Sequence, residues 1–184
     1  IMIVDMSSDL FSKSLNWSNI DVAFACAPKN FGISGSTIVI VKNDLLSENY
    51  KSFYGDKIPS LLDWKLINKS NSFWNTLPVF NIYLTEKILN YYKKIGGVEE
   101  IEKQSIVKST VIYNVLDNYK DFYQPFVIDK LSRSRMNIPF YVRNGCPEMT
   151  LKFLNEAFKN NIVGLRTKTP FKQEKESLRV SLYN

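Results

Sequence analysis

Lys29 is the residue in this chain best placed to do covalent chemistry. It follows Val22-Ala23-Phe24-Ala25-Cys26-Ala27-Pro28, a run without a charge, and stands just before Asn30-Phe31-Gly32. A lone amine at the end of a buried run is biased by desolvation toward the neutral, nucleophilic form that attacks a carbonyl. A second apolar run, Ile1-Met2-Ile3-Val4, leads into Asp5 and then Ser7-Ser8. Both runs predict buried strands with one charge at each carboxyl end, where open α/β sheets bind their ligands. A carboxylate and an amine could then face one pocket. The rival reading, which spacing alone favours, makes Lys29 the start of an exposed loop and Asp5 a turn cap.

Pyridoxal phosphate is a cofactor that uses such a pair. A lysine forms an imine with it, and a carboxylate keeps its pyridine nitrogen protonated so that the ring can absorb electrons from a substrate carbanion. The text around the pair favours this chemistry. Val4-Asp5-Met6-Ser7-Ser8 and Cys26-Ala27-Pro28-Lys29-Asn30-Phe31-Gly32 resemble two blocks of the phosphoserine aminotransferase family. Three more blocks agree in order. Asn75-Thr76-Leu77-Pro78 is similar to the family's Asn-Thr-Pro-Pro, and Ser132 to Phe140 carries its Arg-Ser-Arg-Met-Asn signature. Leu178-Arg179-Val180-Ser181-Leu182-Tyr183-Asn184 is similar to its Arg-Ala-Ser-Ile-Tyr-Asn ending.

That resemblance implies an α/β fold in two parts. Residues 1–100 would be the remainder of a large cofactor-binding domain with a mixed, mostly parallel sheet, and residues 101–184 a small α+β carboxyl-terminal domain, incomplete at its end. The family's chains are about twice as long as these 184 residues, so the chain is expected to be a carboxyl-terminal half, cut at both ends. The resemblance further implies a cytoplasmic homodimer and transfer of an amino group between glutamate and 3-phosphohydroxypyruvate, a step of serine biosynthesis. In it, Lys29 bonds the cofactor and shuttles the Cα proton, Asp5 holds the pyridine nitrogen cationic, Asn75 and Thr76 reach the cofactor phosphate of the neighbouring subunit, and Arg179 grips the substrate α-carboxylate. The rival assignment is a degenerate, non-catalytic homologue that acts as an interaction or regulatory partner.

Two departures bear on the choice. Pro28 stands where the family usually carries a glutamine whose amide lies near the cofactor phosphate; one lost neutral hydrogen bond costs about 1 kcal/mol, which weakens cofactor binding without abolishing it. Cys26 replaces a family glycine on the same strand end. In Thr169 to Ser177, relatives carry a His-Arg pair and a Gly-Gly turn that recognise the substrate phosphate. Here Lys172 keeps one cation, Gln173 loses the other, and Glu174 and Glu176 add repulsion if they face the phosphate.

Composition narrows the field. Histidine is absent, which removes Ser-His-Asp and Cys-His catalysis and His-containing zinc sites from this segment. The two cysteines, Cys26 and Cys146, suggest no disulfide framework. The net charge of +6 comes from scattered lysines without a dense basic run, so nucleic acid is not expected as a partner. No apolar run is long enough to span a bilayer.

The remaining elements follow from periodicity. Ser36 to Lys42 is β-branched and predicts a third strand of the same sheet. Asn43 to Ser72 predicts a loop. Phe80, Tyr83, Leu84, Ile88, Tyr91 and Tyr92 recur at helical spacing as a core stripe, with Gly96-Gly97 as the helix exit. Val98 to Leu116 predicts a second helix with Ile101, Val111, Val115 and Leu116 inward. A further sheet would use Phe126 to Ile128, Ile138 to Val142 and the last strand, under a helix bearing Leu151, Leu154 and Phe158. In the last strand Leu178, Val180 and Leu182 alternate with Arg179, Ser181 and Tyr183, which puts Arg179 on the face opposite the buried one.

Overall fold

The apolar run that ends in Asp5 forms a short strand, β1 (Ile3–Asp5), parallel to β2 (Val22–Cys26), which pairs antiparallel with β3 (Thr37–Val41). The sheet is therefore mixed, in the order β1-β2-β3. These coordinates are a computed structural model that describes residues 1–51, 53–166 and 175–184. They divide into two compact units, Ile1–Val98 and Glu99–Asn184.

In the first unit, β2 is the core strand. Val22, Ala23 and Ala25 are buried, and Met6, Leu10, Ala27 and Phe31 close around the two alanines. The expected burial of β1 does not hold: Ile1 is 78% exposed and Met2 and Ile3 are also open to solvent. A strand at the end of a sheet has one neighbour only: Val4 packs against the core around Ala23 and Ala25, while Ile3 on the other face is left open.

The stretch after β3 is not the plain loop that its composition predicts. It folds into α1 (Asn43–Leu46), two short 3₁₀ turns (Gly55–Lys57 and Ser60–Leu62) and α2 (Trp64–Lys69). Asp63 starts α2 by accepting the backbone N–H groups of Lys65 and Leu66, the satisfaction of orphan donors that N-caps provide. The helix α3 (Val79–Lys94) follows, and its aromatic stripe is only partly core: Tyr92 is buried, whereas Phe80, Tyr83 and Tyr91 face solvent.

What α3 does instead is hold the segment after Lys29. The Asn81 amide donates to the Ser34 carbonyl at 2.6 Å, and the Tyr92 hydroxyl donates to the Asn30 carbonyl. Between them Gly32 touches the helix so closely that an added Cβ would lie 2.7 Å from Thr85 Oγ1 and 3.0 Å from the Ala27 Cβ. Gly32→Ala is thus expected to destabilise the protein by about 1–3 kcal/mol through overpacking, with part of the loss recovered by Thr85→Ala in the same chain. Urea unfolding of the single and double variants measures both effects.

The second unit holds α4 (Gly97–Asn118) from Glu99 onward, then β4 (Tyr123–Pro125), β5 (Asn137–Val142), α5 (Pro147–Lys159) and β6 (Leu178–Ser181). The three strands form an antiparallel sheet, β4-β5-β6. Its core is Ile138, Phe140 and Val142 from one face of β5, together with Leu116 and Leu178. On α4 the inward positions are Ile101, Ser105, Ser109, Ile112 and Leu116. Val111 and Val115, expected inside, are exposed, because the buried stripe at helical spacing passes through Ile112. On α5 Met149, Phe153 and Leu154 face the core, while Leu151 and Phe158 are exposed.

The first strand of this sheet comes earlier than Phe126 to Ile128, and Ile128 is 87% exposed. Pro139 explains the shift. N–H and C=O of one strand residue face the same neighbour, and the Pro139 carbonyl accepts from Phe126 N–H just beyond β4. The donor that proline lacks is the one that would have extended this ladder, so pairing stops.

Candidate active site

Asp5 and Lys29 come together. In the parallel pair Asp5 registers with Phe24, so β1 and β2 point their carboxyl ends the same way, and Lys29 lies one turn past the end of β2. That turn is closed by Phe31 N–H donating to the Ala27 carbonyl at 3.1 Å. Pro28 sits exposed within it at a position from which this closure needs no donor.

Each charge is attached to its own serine. The Asp5 carboxylate accepts the Ser7 backbone N–H at 2.9 Å. Hydrogen bonding from the Ser7 hydroxyl, then from its backbone, and to a smaller extent the Lys29 charge, hold the Asp5 carboxyl below the usual carboxylate range. Lys29 is half-buried, and its Nζ donates to Ser8 Oγ at 2.8 Å. Asn30 is buried, with its side-chain amide donating to the carbonyls of Ser8 at 3.0 Å and Leu10 at 3.1 Å. Cys26 is partly buried, a free thiol whose backbone N–H donates to Ser7 Oγ at 3.3 Å.

The other expected site residues lie elsewhere in the chain. Asn75 and Thr76 occupy the exposed bend before α3. Arg179 belongs to the second unit, exposed on β6 opposite Pro139, with the flanking Leu178 buried as the alternation predicts. Lys108 braces the end of that strand by donating to the carbonyls of Leu182 at 3.1 Å and Tyr183 at 3.2 Å, and burial lowers its pKa. Lys172, Gln173 and Glu174 of the altered phosphate loop lie outside the described residues.

The Arg-Ser-Arg signature turns out to be an anchor. Arg133 makes a bidentate pair with Asp117 at 2.7 and 2.8 Å, and Arg135 reaches Glu102 at 2.7 Å, so both arginines are engaged by α4. Sequence reasoning missed these partners, and it missed Ser8 and Asn30 as supports of Lys29. Adjacent serines after a strand that ends in a carboxylate were the available signal.

The pair suits pyridoxal phosphate: an amine for its carbonyl carbon and, across neighbouring strand ends, a carboxylate kept anionic for its pyridine nitrogen. Among the described residues no three His, Cys, Asp or Glu side chains gather to hold a metal ion, and no helix is long and apolar enough to cross a membrane.

Comparison with known proteins agrees with this chemistry. The family model for class-V aminotransferases matches residues 1–184, and the chain belongs to that family. At the next level of detail, it is 41% identical over its full length to a probable phosphoserine aminotransferase of Dictyostelium discoideum and 39% identical to the phosphoserine aminotransferase of Buchnera aphidicola, covering 46% of each. Among solved structures, the phosphoserine aminotransferase of Bacillus circulans subsp. alkalophilus superposes with a TM-score of 0.85 at 33% identity, over 98% of this chain and 47% of that one. The pyridoxal-phosphate-bound enzyme of Trichomonas vaginalis gives 0.82 at 30% identity, over 98% of this chain and 48% of that one. The chain thus spans about half the length of the curated relatives it matches.

Proposed function

We propose that this chain supplies the lysine-bearing part of a phosphoserine transaminase, which moves an amino group between glutamate and 3-phosphohydroxypyruvate on pyridoxal phosphate in serine biosynthesis. The observation that carries the reading is Asp5 at the end of β1 and Lys29 one turn past the end of the parallel β2, in a class-V aminotransferase chain. When bound, the cofactor supplies an electron sink for the pair left behind as the substrate Cα loses its proton.

The chain's own residues do the rest. Asp5, held anionic by Ser7, keeps a proton at the pyridine nitrogen. Lys29 would hold the cofactor through Nζ and would carry on that same nitrogen the proton taken from the substrate Cα. Arg179 projects from the open face of β6 as a fork able to grip the α-carboxylate that both substrates share. Asn75 and Thr76, on their exposed bend, are assigned to the cofactor phosphate of a partner subunit, which makes the protein a homodimer. Residues 1–100 and 101–184 are assigned as the remainder of the large domain and the small domain, and the compartment as the cytoplasm.

The test is an assay of the intact gene product with glutamate, pyridoxal phosphate and either 3-phosphohydroxypyruvate or its unphosphorylated analogue. Formation of phosphoserine, with the phosphorylated acceptor preferred, is the expected result. Turnover with the plain keto acid alone would move the substrate assignment to another acid. No turnover and no bound cofactor would instead favour the non-catalytic homologue.

A further inference from the structure

Two adjacent serines stand between the charges of the site; the transaminase reading uses Ser7 to hold Asp5 anionic and gives Ser8 no role. Met6 N–H donates to the Phe24 carbonyl at 2.8 Å and its side chain is buried, so the chain is pinned immediately before Ser7 and Ser8. Ser7 serves Asp5, while Ser8 Oγ accepts from Lys29 Nζ at 2.8 Å. The backbone of Ser8 is fixed as well: its carbonyl accepts from the buried Asn30 amide at 3.0 Å, and the same amide also binds Leu10. Asn30 is held in turn by the Tyr92 hydroxyl of α3. Asn30 adjoins Lys29 in the chain, so one buried side chain fixes both the lysine's backbone and the serine that receives its amine.

We propose that Ser8 is a positioning residue for Lys29, its hydroxyl aiming the amine toward the space beside Asp5 in which an aldehyde-bearing cofactor would bind, with Asn30 as the brace that sets the hydroxyl's place. The inference rests on the transaminase reading and adds a residue to it. A nucleophile held in its attack geometry gains rate from lost rotational freedom, and a displacement of about 1 Å can cost on the order of 100-fold. The hydroxyl is therefore needed for the rate at which Lys29 bonds the cofactor, and not for the affinity with which the pocket holds a cofactor that cannot bond.

The intact gene product, stripped of cofactor, separates these quantities. Pyridoxal phosphate is added and the lysine-dependent absorbance near the visible edge is followed in time; pyridoxamine phosphate, which has no carbonyl, is titrated separately by quenching of tryptophan fluorescence. Ser8→Ala is expected to slow bonding about 10- to 100-fold while changing pyridoxamine phosphate affinity less than about 3-fold, and Ser8→Thr, which keeps the acceptor, to recover most of the rate. Ser8→Cys, nearly isosteric with a far weaker acceptor, carries the same expectation should the alanine variant fold poorly. Bonding at the wild-type rate in Ser8→Ala and Ser8→Cys, or equal loss of rate and affinity in them, overturns the inference. Wild-type protein that shows no band sinks the transaminase reading and this one with it.

Discussion

Lys29→Ala in the intact gene product is expected to lose the absorbance of lysine-bound pyridoxal phosphate entirely and to lower transamination by at least ~10³-fold, while leaving the unfolding midpoint close to that of the wild type. The size follows from the two roles proposed for Lys29, bonding the cofactor and moving the Cα proton, vanishing together. Among the described residues Lys29 is the amine that donates to the Ser8 hydroxyl beside the Asp5 strand end, and removing a positioned general base alone costs roughly 10²- to 10⁴-fold. Stability should change little, because Lys29 is only half-buried and the turn that carries it is closed by backbone and by Asn30. Asp5→Asn gives the complementary pattern: the band persists, since the amine remains, but turnover falls because a neutral amide does not hold a proton at the pyridine nitrogen. Spectra and initial rates of the two variants distinguish these outcomes. A Lys29→Ala protein that still bonds the cofactor would remove the amine from the site.

How much of this was legible in the residues depends on what kind of force set each feature. The nearness of Asp5 and Lys29 was legible because an apolar run that stops at a charge reports a backbone leaving the sheet, and the register of β1 on β2 then brings the two together, although β2 stops at Cys26, one turn short of Lys29. Burial of β1 was misread for the same reason: hydrophobicity says what a strand would gain from cover, not whether a neighbour provides it, and Ile1 and Ile3 remain exposed. The period of α3 was readable but its orientation was not, since Phe80, Tyr83, Tyr91 and Tyr92 satisfy one spacing and only Tyr92 has its hydroxyl anchored on a backbone carbonyl. Hydrogen-bond partnerships leave still less trace. Ser8 and Asn30 look like ordinary turn residues until Lys29 is seen donating to one and Leu10 accepting from the other.

Arg133→Met is expected to cost about 2–3 kcal/mol at neutral pH, more than any exposed charge in the chain, and the loss should fade in acid. The Arg133 side chain is 9% exposed and Asp117 22%. The guanidinium spends all three nitrogens on protein, two on Asp117 and Nε on the Val127 carbonyl at 3.2 Å, and its carbon lies 4.6 Å from the Tyr113 ring centre. Removing the arginine leaves a partly buried carboxylate with the exposed Lys130 ammonium, 3.9 Å away, in place of two short hydrogen bonds, the costly way to break such a pair. Replacing both partners, with Arg133→Met and Asp117→Leu together, should therefore be less harmful than Arg133→Met alone. The sign of the pH effect comes from Asp117, whose carboxyl is held below its ordinary range first by the Arg133 hydrogen bonds. A group with a depressed folded pKa contributes stability above its unfolded value, about 3.9, and loses it as pH falls through the lower folded value. Wild type and Arg133→Met should accordingly converge in urea midpoint as the medium is acidified below about pH 4, whereas Glu156→Gln, at an exposed pair with Lys159, should track wild type throughout. A gap between wild type and Arg133→Met that is constant with pH would show that the cost is lost packing over Tyr113 and not the ion pair.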